Sequence, residues 1–210
     1  MKVKWWGHST FFIENNGIKI ITDPYDDSLP YHQIEDKADY VTVSHGHYDH
    51  NSAELLGGNF EVIDSLDGLK NSEIEIEAIK SYHDSHHGED RGDNLIFLIN
   101  IGDKKICHLG DLGHLLDANI IEKIKNVDLL LIPVGGNYTI DAELAFIIAR
   151  DIDPAAIIPM HYKTDILDFP INGVKNFTDK FEQNEVEFIN RPEVDIENFK
   201  DKRVIVLDYV

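Results

Sequence analysis

Alternation is clearest at EIEIEA (73–78), where Ile74, Ile76 and Ala78 fall on one face of an extended chain and Glu73, Glu75 and Glu77 on the other. That pattern predicts a half-buried strand whose acidic row lies in water rather than forming a binding strip. KVKWW (2–6) and STFFIE (9–14) also read as strands, and Asn15-Asn16-Gly17 signals a turn before IKIITD. Further apolar runs predict strands at YVTVS (40–44), within NLIFLINIGDKKICHLGD, and at DLLLIPV (128–134), AAIIPM (155–160) and RVIVLDY (203–209). Helical spacing covers 117–125, 141–151 and 172–183. Strands running into helices in both halves predict two packed sheets with helices outside. No linker, charge block or low-complexity run divides the chain, so residues 1–210 are expected to form one domain. FFIENNGIKIITDP and IFLINIGDKKICHLGD share a plan of apolar strand, Gly turn, Lys-bearing strand and terminal aspartate. They read as paired halves of a duplicated sandwich.

Composition narrows the setting. Hydrophobic residues make up 42% of the 210, enough for a core, and no run reaches the ~18–20 apolar residues of a membrane span. MKVKWWGHST runs straight into a strand pattern without an export signal. One cysteine, Cys107, excludes an intramolecular disulfide and reads as a small core residue, so a cytoplasmic location is expected. Nineteen basic against 39 acidic residues give a net charge of −20. That field favours solubility and argues against a nucleic-acid partner, which needs clustered Lys and Arg. The sequence carries no signal for oligomeric state.

The densest chemistry is TVSHGHYDHN (42–51), which reads His45-x-His47-x-Asp49-His50 where the strand YVTVS ends. Alternate residues of an extended segment share a face, so His45 and His47 can address one ion. A helix beginning at about Asp49 would set His47, Asp49 and His50 around its first turn. Ligands spread in this way favour two adjacent ions, and Gly46 lets the backbone bend between the first two. A catalytic divalent ion takes about three protein ligands and leaves a position for water, so further ligands are required. His83, Asp111 and His161 each follow an apolar segment. Asp111 can bridge two cations through its two oxygens, and Gly110 permits the close approach.

The HxHxDH cluster, a later His, a Gly-Asp and a final His after an apolar strand resemble the metallo-β-lactamase superfamily. More narrowly, GHSTFFIE, TDP (22–24), GDLG (110–113), PVGGNYTID (133–141) and PMHYKT (159–164) resemble the group of metal-dependent hydrolases related to L-ascorbate-6-phosphate lactonase. The resemblance implies an α+β, four-layer αββα sandwich. It implies His45, His47 and His83 on one metal, Asp49, His50 and His161 on the other, and Asp111 bridging, with Asp49 and Asp111 as catalytic residues. Two divalent ions are implied, zinc first; Mn2+, Fe2+ or Ni2+ also suit a thiolate-free donor set. A metal-bridging hydroxide would attack a small-molecule substrate: an ester, lactone or phosphodiester. A non-catalytic metal-binding or regulatory module of the same fold is the alternative.

His86 and His87 compete with His83 by proximity, and the family position favours His83. His108, three before Asp111, faces the opposite side of its strand and is expected to be buried and hydrogen-bonded or at the surface. His114 is a candidate neighbour of substrate or ligands, and His32 sits in a polar loop. His8, near the first hairpin, is either a structural histidine or a neighbour of the site. Asp23 would orient a metal-bound histidine or cap its loop. Tyr138 is a candidate substrate contact, and Thr139 or Asp141 caps the helix at 141. Tyr162 and Lys163 follow His161, Lys163 reading as solvated. Loops 24–38, 84–93 and 163–173 are expected to frame the pocket.

Overall fold

The computed structural model describes residues 1–199 and 203–210. Fourteen strands are assigned among them: β1 (Lys2–Gly7), β2 (Thr10–Asn15), β3 (Ile18–Thr22), β4 (Tyr40–Thr42), β5 (Glu61–Ile63), β6 (Leu69–Lys70), β7 (Ile74–Tyr82), β8 (Asp93–Ile101), β9 (Lys104–His108), β10 (Leu129–Pro133), β11 (Ala156–Met160), β12 (Val186–Ile189), β13 (Glu193–Asp195) and β14 (Val204–Leu207). They form a six-stranded sheet in the order β13-β1-β2-β3-β4-β5 and an eight-stranded sheet in the order β12-β14-β11-β10-β9-β8-β7-β6.

Burial follows sheet position. β10 and β11 lie parallel in the middle of the larger sheet, and every residue in both is buried, the continuous apolar pattern that a parallel strand covered on both faces requires. β7, second from the edge, keeps its alternation: Ile74, Ile76 and Ala78 are buried, Glu75 is half-buried and Glu77 exposed. Trp5, Phe11, Ile13 and Ile20 of the small sheet meet Ile76, Phe97, Ile99 and Leu130 of the large one in a common core. Helices α1 (Ala118–Ile124) and α2 (Ala142–Ile152) flank the large sheet, each N-capped by an aspartate, Asp117 or Asp141, whose carboxylate accepts two backbone N–H bonds. Ala145, Ile148, Ala149 and Ile152 of α2 join the core. Among the described residues, the layer over the small sheet is built from a 3-10 turn, Ala53–Leu55, from loop 24–38 and from Leu167 and Ile171. That loop packs Tyr25, Leu29, Tyr31 and Ile34 onto Trp6, Phe12, Ile21 and Val41.

Two expectations need correction. The helix expected over 172–183 contracts to α3 (Lys175–Thr178). Asn172 donates its N–H to Gly135 O and accepts from Lys163 N, so the preceding backbone is already committed elsewhere. No α-helix begins at Asp49 either: residues 48–50 form a turn closed by His50 N–H donating to His47 O (3.0 Å). Among the described residues no helix is long and apolar enough to cross a membrane.

The two hairpins that echo each other in sequence lie one in each sheet. Pairing of Phe12 with Ile21 in β2–β3 sets Thr10 opposite Asp23; pairing of Phe97 with His108 in β8–β9 sets Asn94 opposite Asp111. Their turns meet at the far end, where Asn15 Nδ2 donates to Ile101 O (2.9 Å). The aspartates therefore emerge together at the opposite end.

Candidate metal centre

Six strand ends deliver the site. His8 follows β1, Asp23 follows β3, the 45–50 turn follows β4, His83 follows β7, Asp111 follows β9 and His161 follows β11. Three of these, His8 (φ +50°), Asp23 (φ +41°) and His161 (φ +51°), hold the left-handed conformation unusual for non-glycine residues. Such strain collects at functional sites, where the surroundings over-determine the backbone. Gly110 and Gly113 make the close packing around Asp111 feasible. A β-carbon at Gly110 would lie 2.3 Å from Asn94 Oδ1, and one at Gly113 2.3 Å from Asp84 N.

Asp111 is the hub. Its Oδ2 lies 3.1 Å from His83 Nε2, 3.2 Å from His161 Nε2, 3.4 Å from His50 Nε2 and 4.0 Å from His45 Nε2. Asn94 Oδ1 accepts the Asp111 N–H (2.8 Å) and fixes its backbone. Ligand-type atoms gather on either side: His45, His47 and His83 in one group, His8, Asp49, His50 and His161 in another. The seven residues proposed as ligands from the sequence are thus brought together.

The donor set fits cations. His45 Nε2, His50 Nε2 and Asp111 Oδ1 are buried without a hydrogen-bond partner, and such groups each cost about 1–3 kcal/mol unless something satisfies them. Imidazole and carboxylate without thiolate suit borderline divalent ions.

Behind these residues, Asp23 organises two of the imidazoles. Its Oδ2 accepts from Ser44 Oγ (2.5 Å) and pairs with His50 Nδ1 (2.9 Å), while Oδ1 accepts from Ser44 N–H (2.8 Å). With Ser44 Oγ donating to Asp23, His45 Nδ1–H donates to Ser44 Oγ (2.9 Å). Both rings are therefore turned so that Nε2 faces the centre.

Electrostatics sort the groups. Burial opposes the charge of Asp111, but His161 and His50 hold its carboxyl well below the usual range. Burial likewise disfavours ionised Asp23, and His108 and His50 outweigh it, lowering its pKa. Asp49 is lowered against burial by His8 and His50. Burial and the neighbouring His50 push His45 down to about 3, and burial with His161 takes His8 to about 4. His50 is raised well above the ordinary imidazole, since Asp111 and Asp23 overcome its burial.

The remaining candidates separate cleanly. His8 is fully buried inside the site, its Nε2 3.2 Å from Asp49 Oδ2 and its ring centroid 4.2 Å from that of His161. His86 and His87 are exposed: His86 Nδ1 pairs with Asp90 (2.7 Å), and His87 packs edge-on against Tyr82. His114 does not line the pocket; its Nε2 accepts the Tyr82 N–H (3.1 Å) and its Nδ1–H donates to Leu115 O (2.7 Å), bracing the backbone next to His83. His108 is buried, with Nε2–H donating to Ser9 O (3.0 Å) across the sheets and Nδ1 accepting from Gly110 N–H. Lys163 donates to Phe169 O (3.0 Å).

A pocket of about 330 Å³ opens over the cluster, lined by His47, Asp49, His83, Asp111, His161, Tyr48, Arg91, Tyr138 and Phe169. Loops 84–93 and 163–173 thus contribute walls through Arg91 and Phe169. Loop 24–38 contributes none, because its aromatic residues are spent on the core. Sequence reasoning missed Ser44, Arg91, Tyr48 and Phe169. Ser44 could have been found from its place immediately before His45; Arg91 and Phe169 lie in loops expected to frame the pocket, though no local signal singles them out, and none singles out Tyr48.

Comparison with known proteins accords with this geometry. Residues 2–161 match the family model described as the Beta-lactamase superfamily domain. The chain is similar to the UPF0173 metal-dependent hydrolase of Carboxydothermus hydrogenoformans, 33% identical over 193 residues, covering 78% of this chain and 85% of that protein. It is also similar to a Thermotoga maritima crystal structure assigned to the Zn-dependent hydrolases of the metallo-β-lactamase superfamily: 35% identity, TM-score 0.83, 100% of this chain and 99% of the other covered. The metallo hydrolase Igni18 of Ignicoccus hospitalis, 22% identical with TM-score 0.66 over 99% of this chain and 94% of its own, shares the fold.

Proposed function

Since the chain belongs to the metallo-β-lactamase superfamily, and within it to the UPF0173 metal-dependent hydrolases, we propose that it hydrolyses a small ester, lactone or phosphodiester at a binuclear centre, most simply of zinc. The narrower sequence resemblance to relatives of L-ascorbate-6-phosphate lactonase favours the lactone and ester end of that range. The observation that carries the reading is the position of Asp111 Oδ2, within 3.4 Å of three imidazoles from three strand ends and beneath an open pocket. A purely structural metal site would be closed.

In this reading His45, His47 and His83 would hold one ion and Asp49, His50 and His161 the other, with Asp111 as the ligand they would share. When bound, such ions lower the pKa of water to about 7 and act as Lewis acids toward a carbonyl or phosphoryl oxygen. The chain supplies the rest. Ionised Asp111 and Asp49 would offset the cationic charge, and Asp23 keeps the His50 ring in register directly and the His45 ring through Ser44. His8, buried with a low pKa, is neutral near pH 7 and sets its Nε2 3.2 Å from Asp49 Oδ2. Tyr48, Tyr138 and Phe169 exclude water and seat the substrate's apolar part. The lone buried Cys107 suits a reducing cytoplasm, and residues 1–210 act as one catalytic unit.

The test is turnover of a panel of lactones, aryl esters and phosphodiesters by metal-reconstituted protein, beside metal analysis. Chelation should abolish every activity and zinc should restore it. Turnover that survives complete metal removal overturns the reading.

A further inference from the structure

We propose that Arg91 is the specificity-determining residue of this site and that the substrate carries a carboxylate or phosphate group, remote from the bond cleaved, which Arg91 binds beside the face of Tyr138. The inference rests on the hydrolase reading above and narrows its substrate class.

Charge is the first argument. The chain carries −20, and the pocket wall contributes two carboxylates, Asp49 and Asp111. Arg91 is the one lysine or arginine among the residues lining that pocket. Its side chain forms no ion pair among the described residues, although acidic residues outnumber basic ones 39 to 19. A cation left unpaired at the mouth of a cleft in an acidic protein focuses the local field for an anion.

Position is the second. Arg91 sits in a loop wound around one buried carboxylate. Asp84 Oδ1 accepts the N–H groups of His86 (2.8 Å) and Gly88 (2.9 Å), and Oδ2 accepts those of Asp90 (3.0 Å) and Arg91 (2.8 Å). His83 N–H donates to Gly92 O (3.1 Å), so the loop is closed onto the residue beside Asp111. The Arg91 backbone is thereby fixed relative to the centre.

The guanidinium is the third. Its central carbon lies 5.7 Å from the Tyr138 ring centroid. Contact with an aromatic ring occupies the planar face of a guanidinium and leaves the N–H fork on its edge free for bidentate binding of carboxylate or phosphate. A second depression of about 550 Å³, lined by Asp64, Ser65, Leu66 and Lys80 among others, shares only His47 and Arg91 with the first. Arg91 thus stands where the two meet, and a group bound there lies beyond the reacting bond.

The experiment compares three phenyl esters of one six-carbon acyl chain: phenyl hexanoate, mono-phenyl adipate and phenyl 6-(phosphonooxy)hexanoate. Zinc-reconstituted wild type, Arg91→Ala and Arg91→Lys are assayed, and binding of the uncleaved amides N-phenylhexanamide and N-phenyladipamic acid is measured by calorimetry. A hydrogen-bonded charge of this kind is worth ~10–100-fold. Arg91→Ala should lower kcat/KM for the charged esters by that factor, mainly through KM, and leave the neutral ester within ~2-fold. Arg91→Lys should recover part of the loss, and the stronger of the two charged esters identifies phosphate or carboxylate as the preferred group. Equal treatment of neutral and charged esters by wild type and Arg91→Ala overturns the inference while the hydrolase reading stands. If no ester is cleaved, the hydrolase reading fails for esters and the amides decide separately: loss of charged-amide binding alone in Arg91→Ala supports the inference, and equal binding overturns it.

Discussion

Hairpins β2–β3 and β8–β9 share a register, and each ends in an aspartate, yet the two carboxylates have opposite surroundings. Asp23 is saturated by protein donors, accepting from Ser44 N–H and Oγ and pairing with His50 Nδ1. Asp111 keeps Oδ1 buried and unpartnered while Oδ2 faces four imidazole nitrogens. The residue opposite each aspartate accounts for part of this. Thr10 donates to the Asp23 carbonyl (2.6 Å), whereas Asn94 accepts the Asp111 amide and donates to Leu109 O. What crosses from the other strands accounts for the rest: the 44–50 turn fills Asp23, and the ends of β7 and β11 crowd Asp111. One backbone plan therefore yields an orienting carboxylate in one half and a bridging candidate in the other.

The harshest way to break the pairing is Asp111→Asn. Activity should fall by more than the ~10–100-fold that follows loss of a residue orienting a ligand, with bound metal dropping toward one ion per chain by mass spectrometry and circular dichroism unchanged. Asp23→Asn should fall inside that ~10–100-fold band, read as metal affinity in chelator competition. If Asp23→Asn proves the more severe, the two roles are exchanged. Asn94→Ala tests the support rather than the carboxylate. It orphans the buried Asp111 amide and should cost about 1–3 kcal/mol in denaturant unfolding.

The mildest effect concerns His108, which joins the second hairpin to Ser9 beside the first. Burial lowers its pKa, so the unfolded chain takes up the proton first, near pH 6.5. Stability is then full above that pH and is lost as pH falls toward the folded value. In chelator-treated protein the unfolding midpoint should decline from pH 6.5 to 5 less steeply for His108→Gln than for wild type.

Much of this was legible in the sequence, for definable reasons. His45, His47, Asp49 and His50 are four ligand residues in six positions, a density that surface chemistry does not explain, and β10 and β11 announce themselves by unbroken apolar runs. The four strands that escaped notice, β5, β6, β12 and β13, are the sheet edges. Segments such as EVI, LK and EVD are too short and too solvated to carry a period. Helix 172–183 contracted because its first residues bond to Gly135 and Lys163, a contact invisible to local pattern. His8 read first as a structural histidine, since its burial against Asp49 and His161 depends on strands far apart in sequence.

The loop wound on Asp84 has a wider consequence. Four of its amides are anchored by one carboxylate that belongs to the loop itself, so the segment carries its own scaffold. Side chains on its rim can therefore be replaced with the loop's backbone still held by Asp84.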